Sequence, residues 1–257
     1  LPFIPLHDNT PRYLIAQPWT AWALVLVTSI CFLGQVLAGD DGFLSLVYGL
    51  GVIPATLTGQ AQLADDLFLI DPLATFLTYQ FLHGDFMHLF GNMLYLWVFG
   101  DNVEDAMGHL RFLVFYLACG AVAGLAQILV DPGSTSPLIG ASGAISGVLG
   151  AYLILHPRAK VLVPVVFIPL YLPAWLLLLF WFGFQFFALA GGQGDSNVGW
   201  WAHIGGFIAG TVLIPLFRYK AVPLFGLGDP PGGVTLRRGV GWQAGESGGR
   251  DKGGPWG

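Results

Sequence analysis

Residues 198–217 read VGWWAHIGGFIAGTVLIPLF, an uncharged run with a single imidazole, His203, near its start. A hydrocarbon core about 30 Å thick takes about 20 residues of helix to cross, and this run is long enough. Only a helix lets one segment satisfy all of its own backbone hydrogen bonds in lipid. The stretch therefore reads as a membrane helix with an ionisable side chain inside it. A polar group at that depth is costly and marks a functional site by default.

Two further apolar stretches repeat the pattern: LIGASGAISGVLGAYLIL (138–155) holds Ser142, and FMHLFGNMLYLWVFG (86–100) holds His88. The chain of 257 residues is 55% hydrophobic and 10% charged, with a mean hydropathy of +0.69. A soluble domain carries about 25% charged residues, so the sequence describes a polytopic membrane protein. Spans are expected near 19–38, 86–106, 111–130, 138–155, 172–190 and 198–217. The runs are continuously apolar, unlike the tilted alternating strands of about 10 residues that build a barrel. The expected fold class is all-α, a bundle of six transmembrane helices occupying residues 19–218.

The basic residues orient that bundle. With the N-terminus inside, Arg12, Arg111, Arg158, Lys160, Arg218, Lys220, Arg237, Arg238, Arg250 and Lys252, every Lys and Arg of the chain, fall on the cytoplasmic side. The external segments carry acids instead, among them Asp40, Asp41, Asp65, Asp66, Asp71, Asp131 and Asp195. This partition follows the positive-inside rule, and adding or removing a span would scramble it. The net charge of −5 then says little about partners, and no basic face suited to nucleic acid is visible.

Residues 1–18 are expected to form a cytoplasmic segment. The long connection 39–72 contains FLSLVYGLGVI, too short to cross and suited to lying in the interface or dipping partway in. From 219 to 257 the chain is rich in Gly and Pro, as in GGVTLRRGVGWQAGESGGR, which reads as a disordered cytoplasmic tail. Cys31 and Cys119 fall inside spans and read as small apolar fillers. No zinc or redox spacing and no cofactor motif is present, and HExxH is absent. No internal repeat supports a transporter of inverted halves.

Depth brings the polar residues together. Ser142 lies about 21 Å of helix from His156, His203 about 22 Å from Arg218, and His88 about 20–24 Å from Asp101 and Glu104. All three reach one level, roughly 10 Å below the external face of a 30 Å core. Gly143, Gly147 and Gly150 in the fourth span, and Gly206 and Gly210 in the sixth, are spaced to let those two helices approach closely. A serine hydroxyl becomes a competent nucleophile when a base takes its proton, and imidazole suits that task. Ser142 and His203 thus form a candidate dyad, with no carboxylate at matching depth to complete a triad. His88 and Asn92, four residues apart on one helical face, are candidate oxyanion donors together with the Ser142 N–H.

HGDFMHLFGN (83–92), GASG (140–143) and AHIGG (202–206), in this order on the second, fourth and sixth spans, resemble the rhomboid intramembrane serine proteases over roughly residues 13–218. The resemblance implies Ser142 as nucleophile, His203 as base, and His88 with Asn92 at the oxyanion. His83 matches a structural histidine near the site, Gly140, Gly143 and Gly206 lie in the matching motifs, and Glu104 matches an acid closing the second span. Segment 39–72 would be the membrane-dipping loop. Two departures stand out: the Trp-Arg pair common in that loop is missing from DPLATFLTYQFLH, and Ser146 stands where many relatives carry an aromatic residue.

The expected activity is hydrolysis of peptide bonds in transmembrane proteins through an acyl-enzyme on Ser142, at a site toward the external face. Asn92, His83 and Ser146 would line a cavity open outward. Substrates would carry helix-weakening residues, because a helical carbonyl must be freed before attack, and the fifth span or an external loop would gate access. The favoured location is the bacterial inner membrane, ahead of the mitochondrial one. Two other classes fit parts of the pattern: a catalytically silent relative that escorts membrane clients, and a haem or metal protein ligated by His88 and His203.

Overall fold

The computed structural model describes residues 5–165, 168–190 and 199–226. Asp195 and most of the Gly/Pro-rich tail, residues 227–257, lie outside the described residues.

The chain is mostly helical: α1 (Trp19–Leu37), α2 (Gly39–Leu50), α3 (Pro54–Leu57), α4 (Thr75–Thr78), α5 (Phe86–Met107), α6 (His109–Val130), α7 (Ser142–Leu155), α8 (Ala174–Ala190) and α9 (Trp200–Phe217). Three of these, α1, α6 and α9, are long and apolar enough to cross a membrane, while α7 and the described part of α8 are shorter apolar helices. Side-chain placement is inverted relative to a soluble protein. Leu26, Ile30, Leu33, Leu110, Leu129, Val212 and Leu216 face outward, whereas Gln35, His83, Asn92, Asn102, Glu104 and Ser146 are buried. An apolar solvent rewards this arrangement, since each polar group finds partners inside while alkyl chains meet lipid.

Helix α7 sits at the centre of the bundle, where every residue but Ser142, Leu153 and Ile154 is buried. Its glycines let α9 lie directly against it. A Cβ at Gly206 would stand 2.0 Å from the Gly143 carbonyl oxygen, and one at Gly210 only 1.9 Å from that of Gly147. On the other flank, a Cβ at Gly147 would meet Cys119 of α6 at 2.5 Å. Cys119 is buried and free, as is expected of an apolar filler.

The expectation for the fourth span is corrected at its start. Residues 138–141 are not helical, because Gly140 adopts φ +121°, a conformation that ends a right-handed helix. This segment is tied down by an antiparallel bridge between Val52 and Leu138 and by the Gly140 N–H donating to the Tyr79 carbonyl at 2.9 Å. Ser142 is therefore the first residue of α7.

The all-α expectation is also corrected. Lys160–Val165 (β2) and Ile168–Pro173 (β3) pair as an antiparallel hairpin, and His7–Asp8 (β1) adds a short third strand to β2. The stretch KVLVPVVFIPLYLP is rich in β-branched residues, and Pro164 and Pro169 forbid a continuous helix. The connection 39–72 is likewise organised, carrying α2, α3 and short 3₁₀ turns rather than a featureless loop.

The N-terminal segment is fastened to the end of α5 by buried acids. The Asp105 carboxylate accepts the backbone N–H groups of Tyr13, Leu14 and Ile15 at 2.7–2.9 Å. Glu104 accepts those of Thr20 and Ala21 at 2.9 and 2.8 Å, capping the start of α1, which has no cap of its own. His109 completes the cluster, its Nδ1 lying 2.5 Å from Glu104. Burial raises the carboxyl of Asp8 above its ordinary range and lowers the imidazole of His156 to about 4. Glu104→Ala is expected to cost about 2–4 kcal/mol, because two helix N–H donors and an imidazole lose a charged acceptor; thermal unfolding in detergent measures it.

Candidate active site

The functional side chains converge where four segments meet: the starts of α5, α7 and α9 and the turn before α5. Asp85 sets the start of α5. It is the N-cap, accepting the His88 N–H at 2.8 Å, and so holds His88 one turn into the helix. The imidazole of His88 leans over Gly140, where a Cβ would meet its Cε1 and Nε2 at 2.8 and 2.9 Å. The same point lies 3.7 Å from the Ser142 hydroxyl. Glycine at 140 thus serves both a positive φ and the close approach of a ring to the serine.

Ser142 opens α7, with Ala141 as N-cap. The first backbone bond of the helix is Ile145 N–H to the Ala141 carbonyl, so the N–H groups of Ser142, Gly143 and Ala144 have no acceptor within the helix. Such a terminus favours negative charge. The Ser142 hydroxyl reaches across to α9, where His203 Nε2 lies 2.8 Å from Oγ. For the hydroxyl to donate, Nε2 must be the unprotonated nitrogen, which places the ring proton on Nδ1. Trp181 of α8 and Trp200 of α9 stand 6.1 Å from the His203 ring, one tilted and one edge-on, and restrict its rotation.

Asn92 and His83 form a second polar pair behind the first. Asn92 Nδ2 lies 2.9 Å from His83 Nε2, and the Ala141 N–H points at the same nitrogen from 3.5 Å. Both partners are donors, so His83 Nε2 accepts. The backbone of His83 is itself clamped by Gln35 of α1, which accepts from its N–H at 3.0 Å and donates to its carbonyl at 3.3 Å. The rings of His83 and His88 meet edge to face at 5.0 Å.

Of the residues expected at the site, Ser142, His203, His88 and Gly140 come together directly, and Asn92 joins through His83. Gly143 and Gly206 are the α7–α9 contact. The expectation that His83 and Ser146 line an outward cavity is corrected: both are fully buried, and the Ser146 hydroxyl donates to the Ser142 carbonyl at 2.6 Å. That bond to the carbonyl four residues earlier is the usual fate of a serine in a membrane helix, and Ser142, with no preceding turn, escapes it. Gln35, Asp85, Trp181 and Trp200 were missed. Gln35 was readable as a lone amide in an apolar span, and Asp85 as the acid preceding an apolar helical run. The two tryptophans gave no sequence signal apart from the general aromatic content.

A family profile described as the rhomboid domain matches residues 71–220, more than half of the chain and every site residue just described except Gln35. The chain belongs to the rhomboid family. Among curated proteins, this rhomboid chain is 33% identical over 159 residues to "RHOMBOID-like protein 12, mitochondrial" of Arabidopsis thaliana, covering 55% of this chain and 45% of that protein. It is 39% identical over 94 residues to "Rhomboid protein 1, mitochondrial" of Saccharomyces cerevisiae, covering 35% and 27%. It is 46% identical over 72 residues to "Rhomboid protease GluP" of Bacillus subtilis, covering 28% and 14%. The match spans less than half the length of each of these relatives.

Proposed function

We propose that this rhomboid chain is an intramembrane serine endopeptidase acting on transmembrane proteins through a Ser142–His203 dyad. The observation that carries the reading is the 2.8 Å contact between Ser142 Oγ and His203 Nε2, made between two helices of a membrane bundle. In this reading Nε2 takes the hydroxyl proton as Oγ attacks the scissile carbonyl, and the resulting imidazolium returns it to the leaving amine. The acyl-enzyme on Ser142 is then hydrolysed by a water that His203 activates in turn.

The developing oxyanion would be met by the unpaired N–H of Ser142 at the α7 terminus and by His88 and Asn92. His83 would act on Asn92 rather than on substrate, holding its amide by one proton so that the other is free to point at the oxyanion. His83→Phe keeps a ring in the buried space and removes the acceptor. It is expected to lower kcat about 10²-fold with little change in KM, as the loss of one oxyanion donor does, and steady-state kinetics on one substrate checks this.

The six-span topology with both termini on the cytoplasmic side belongs to the same proposal, as do a cytoplasmic segment 1–18, a bundle over 19–218 and a tail over 219–257. Helix α7, with 14 residues, is about 21 Å long and cannot cross a core of about 30 Å. With its C-terminal end at the cytoplasmic face, its first residue, Ser142, would stand inside the membrane below the external face. Access would be gated by α8, whose Trp181 touches the base, or by an external loop. Two of the relatives are named mitochondrial, which weighs against the bacterial inner membrane as the favoured location, so the proposed location is a bacterial or a mitochondrial membrane.

Substrates are proposed to be transmembrane helices weakened near their external end, since a paired helical carbonyl must be released before attack. Replacing two Gly residues near the cleavage point by Leu is expected to slow cleavage in proteoliposomes by about tenfold, the worth of two glycines' helix propensity. Cleavage indifferent to that replacement would contradict the unwinding step. The haem reading is disfavoured by the same contact that carries the protease reading, because His203 Nε2 is engaged by Ser142.

A further inference from the structure

At the other end of the bundle, a cavity of about 270 Å³ opens between the N-terminal segment and α5. Its walls include Leu6, Asp8, Arg12, Trp97 and Asp101, and its charged groups are unequally satisfied. Asp8 Oδ2 accepts from Tyr152 and from Asn102 Nδ2, the latter at 2.9 Å. Asp101 Oδ1 accepts from the backbone and side chain of Asn102 at 2.8 and 3.0 Å. Asp101 Oδ2 and the Arg12 guanidinium, by contrast, face each other at 3.9 Å, too far for a hydrogen bond. Among the described residues neither makes another hydrogen bond.

The cavity thus presents a cation and a carboxylate oxygen side by side, held in a long ion pair and each without a hydrogen bond among the described residues. Both side chains are only about a quarter exposed, at 29% and 26%, and their mutual ion pair is too long for a hydrogen bond, so a ligand carrying both charges would give each a charge-assisted hydrogen bond that it lacks. Arg12 stands against two carboxylates, Asp8 and Asp101, which disfavours a purely anionic ligand.

The cavity also has an apolar rim at membrane level. Trp97 lies four residues before Asp101, about 6 Å along the helix, is 56% exposed, and stacks on Trp22 of α1 at 6.0 Å. Trp19 adds an edge contact to Trp22 at 5.4 Å. Tryptophans grouped in this way mark the headgroup level of a bilayer. Leu6, half exposed, borders the opening from the N-terminal segment.

We propose that this cavity binds the headgroup of a zwitterionic phospholipid with a primary ammonium, phosphatidylethanolamine, from the leaflet that Trp19, Trp22 and Trp97 mark. Arg12 receives the phosphate, Asp101 Oδ2 accepts from the ammonium, and the acyl chains run along Trp97. The chemistry separates this lipid from its neighbours. Phosphatidylcholine brings the same charges and no N–H to donate, and phosphatidylglycerol brings no cation for Asp101.

The test is native mass spectrometry and thermal unfolding of the delipidated full chain after adding back each lipid, with Asp101→Asn and Arg12→Lys alongside. Phosphatidylethanolamine is expected to be retained and to raise the unfolding midpoint, with about a tenfold preference over phosphatidylcholine, the worth of one charge-assisted hydrogen bond. Asp101→Asn, isosteric and uncharged, should abolish that preference. Arg12→Lys, which keeps the charge and loses the fork, should weaken retention of both zwitterionic lipids. Glycerophosphoethanolamine without acyl chains should produce no shift at the same concentration. Equal retention of ethanolamine and choline lipids, tighter retention of phosphatidylglycerol, a preference surviving in Asp101→Asn, or an equal shift from the soluble headgroup would each overturn the assignment.

Discussion

His203→Ala is expected to slow peptide hydrolysis by about 10⁴-fold or more, and Ser142→Ala to do the same, with the double variant no worse than either alone. Both losses would come from a single proton transfer. Ser142 Oγ has its base at 2.8 Å, and with that base gone the hydroxyl stays protonated throughout the accessible pH range. With the hydroxyl gone the base has nothing to activate in this position. Two residues that act as one unit give losses that do not add. Losses that multiplied in the double variant would mean that Ser142 and His203 act in separate steps. Ser142→Ala removes one hydroxyl and His203→Ala a ring that packs against Trp181 and Trp200, so thermal unfolding measured beside the kinetics separates a lost proton transfer from a lost fold.

The second large effect concerns the contact that makes the first possible. Gly210→Ala places a methyl 1.9 Å from the Gly147 carbonyl oxygen of the facing helix. Ordinary contact needs about 3.4 Å or more, and the obstacle is backbone, which cannot rotate out of the way. Helices α7 and α9 must therefore move apart by more than about 1 Å, a displacement that costs about 10²-fold in rate when it separates reacting groups. The unfolding midpoint should fall as well, since overpacking of this kind costs about 1–3 kcal/mol. Gly34→Ala is the matching control. A Cβ at Gly34 on α1 meets nothing within 4 Å, so this exchange should leave activity unchanged and favour the helix by about 0.5–1 kcal/mol. Equal activity in the two variants would mean that the close approach of α7 and α9 is not what holds the dyad.

These two effects were legible in the sequence because each depends on residues whose spacing is their meaning. Gly206 and Gly210 announce a close helix contact by their interval, and Ser142 and His203 announce themselves by being polar where lipid is expected. The start of α7 was less legible. LIGA, residues 138–141 just before Ser142, is apolar throughout, and hydropathy alone extends the span to Leu138. The positive φ of Gly140 and its hydrogen bond to Tyr79 are tertiary facts. They explain why the hydroxyl of Ser142, unlike that of Ser146, is not taken up by its own helix and is available to His203. The strands Lys160–Val165 and Ile168–Pro173 were hidden by their composition, since a mostly apolar stretch between two membrane helices shows no polar/apolar alternation to mark a strand. The clamp of Gln35 on His83 joins residues far apart in the chain, which no local pattern encodes.

The central claim, that His203 activates the Ser142 hydroxyl inside this bundle, is tested most directly by labelling the detergent-purified protein with a fluorophosphonate serine probe, which needs no knowledge of the substrate. The account predicts covalent labelling of the wild type that maps to Ser142 and is lost in Ser142→Ala and in His203→Ala. A folded wild type that takes up no label, or label that persists in His203→Ala, would contradict it.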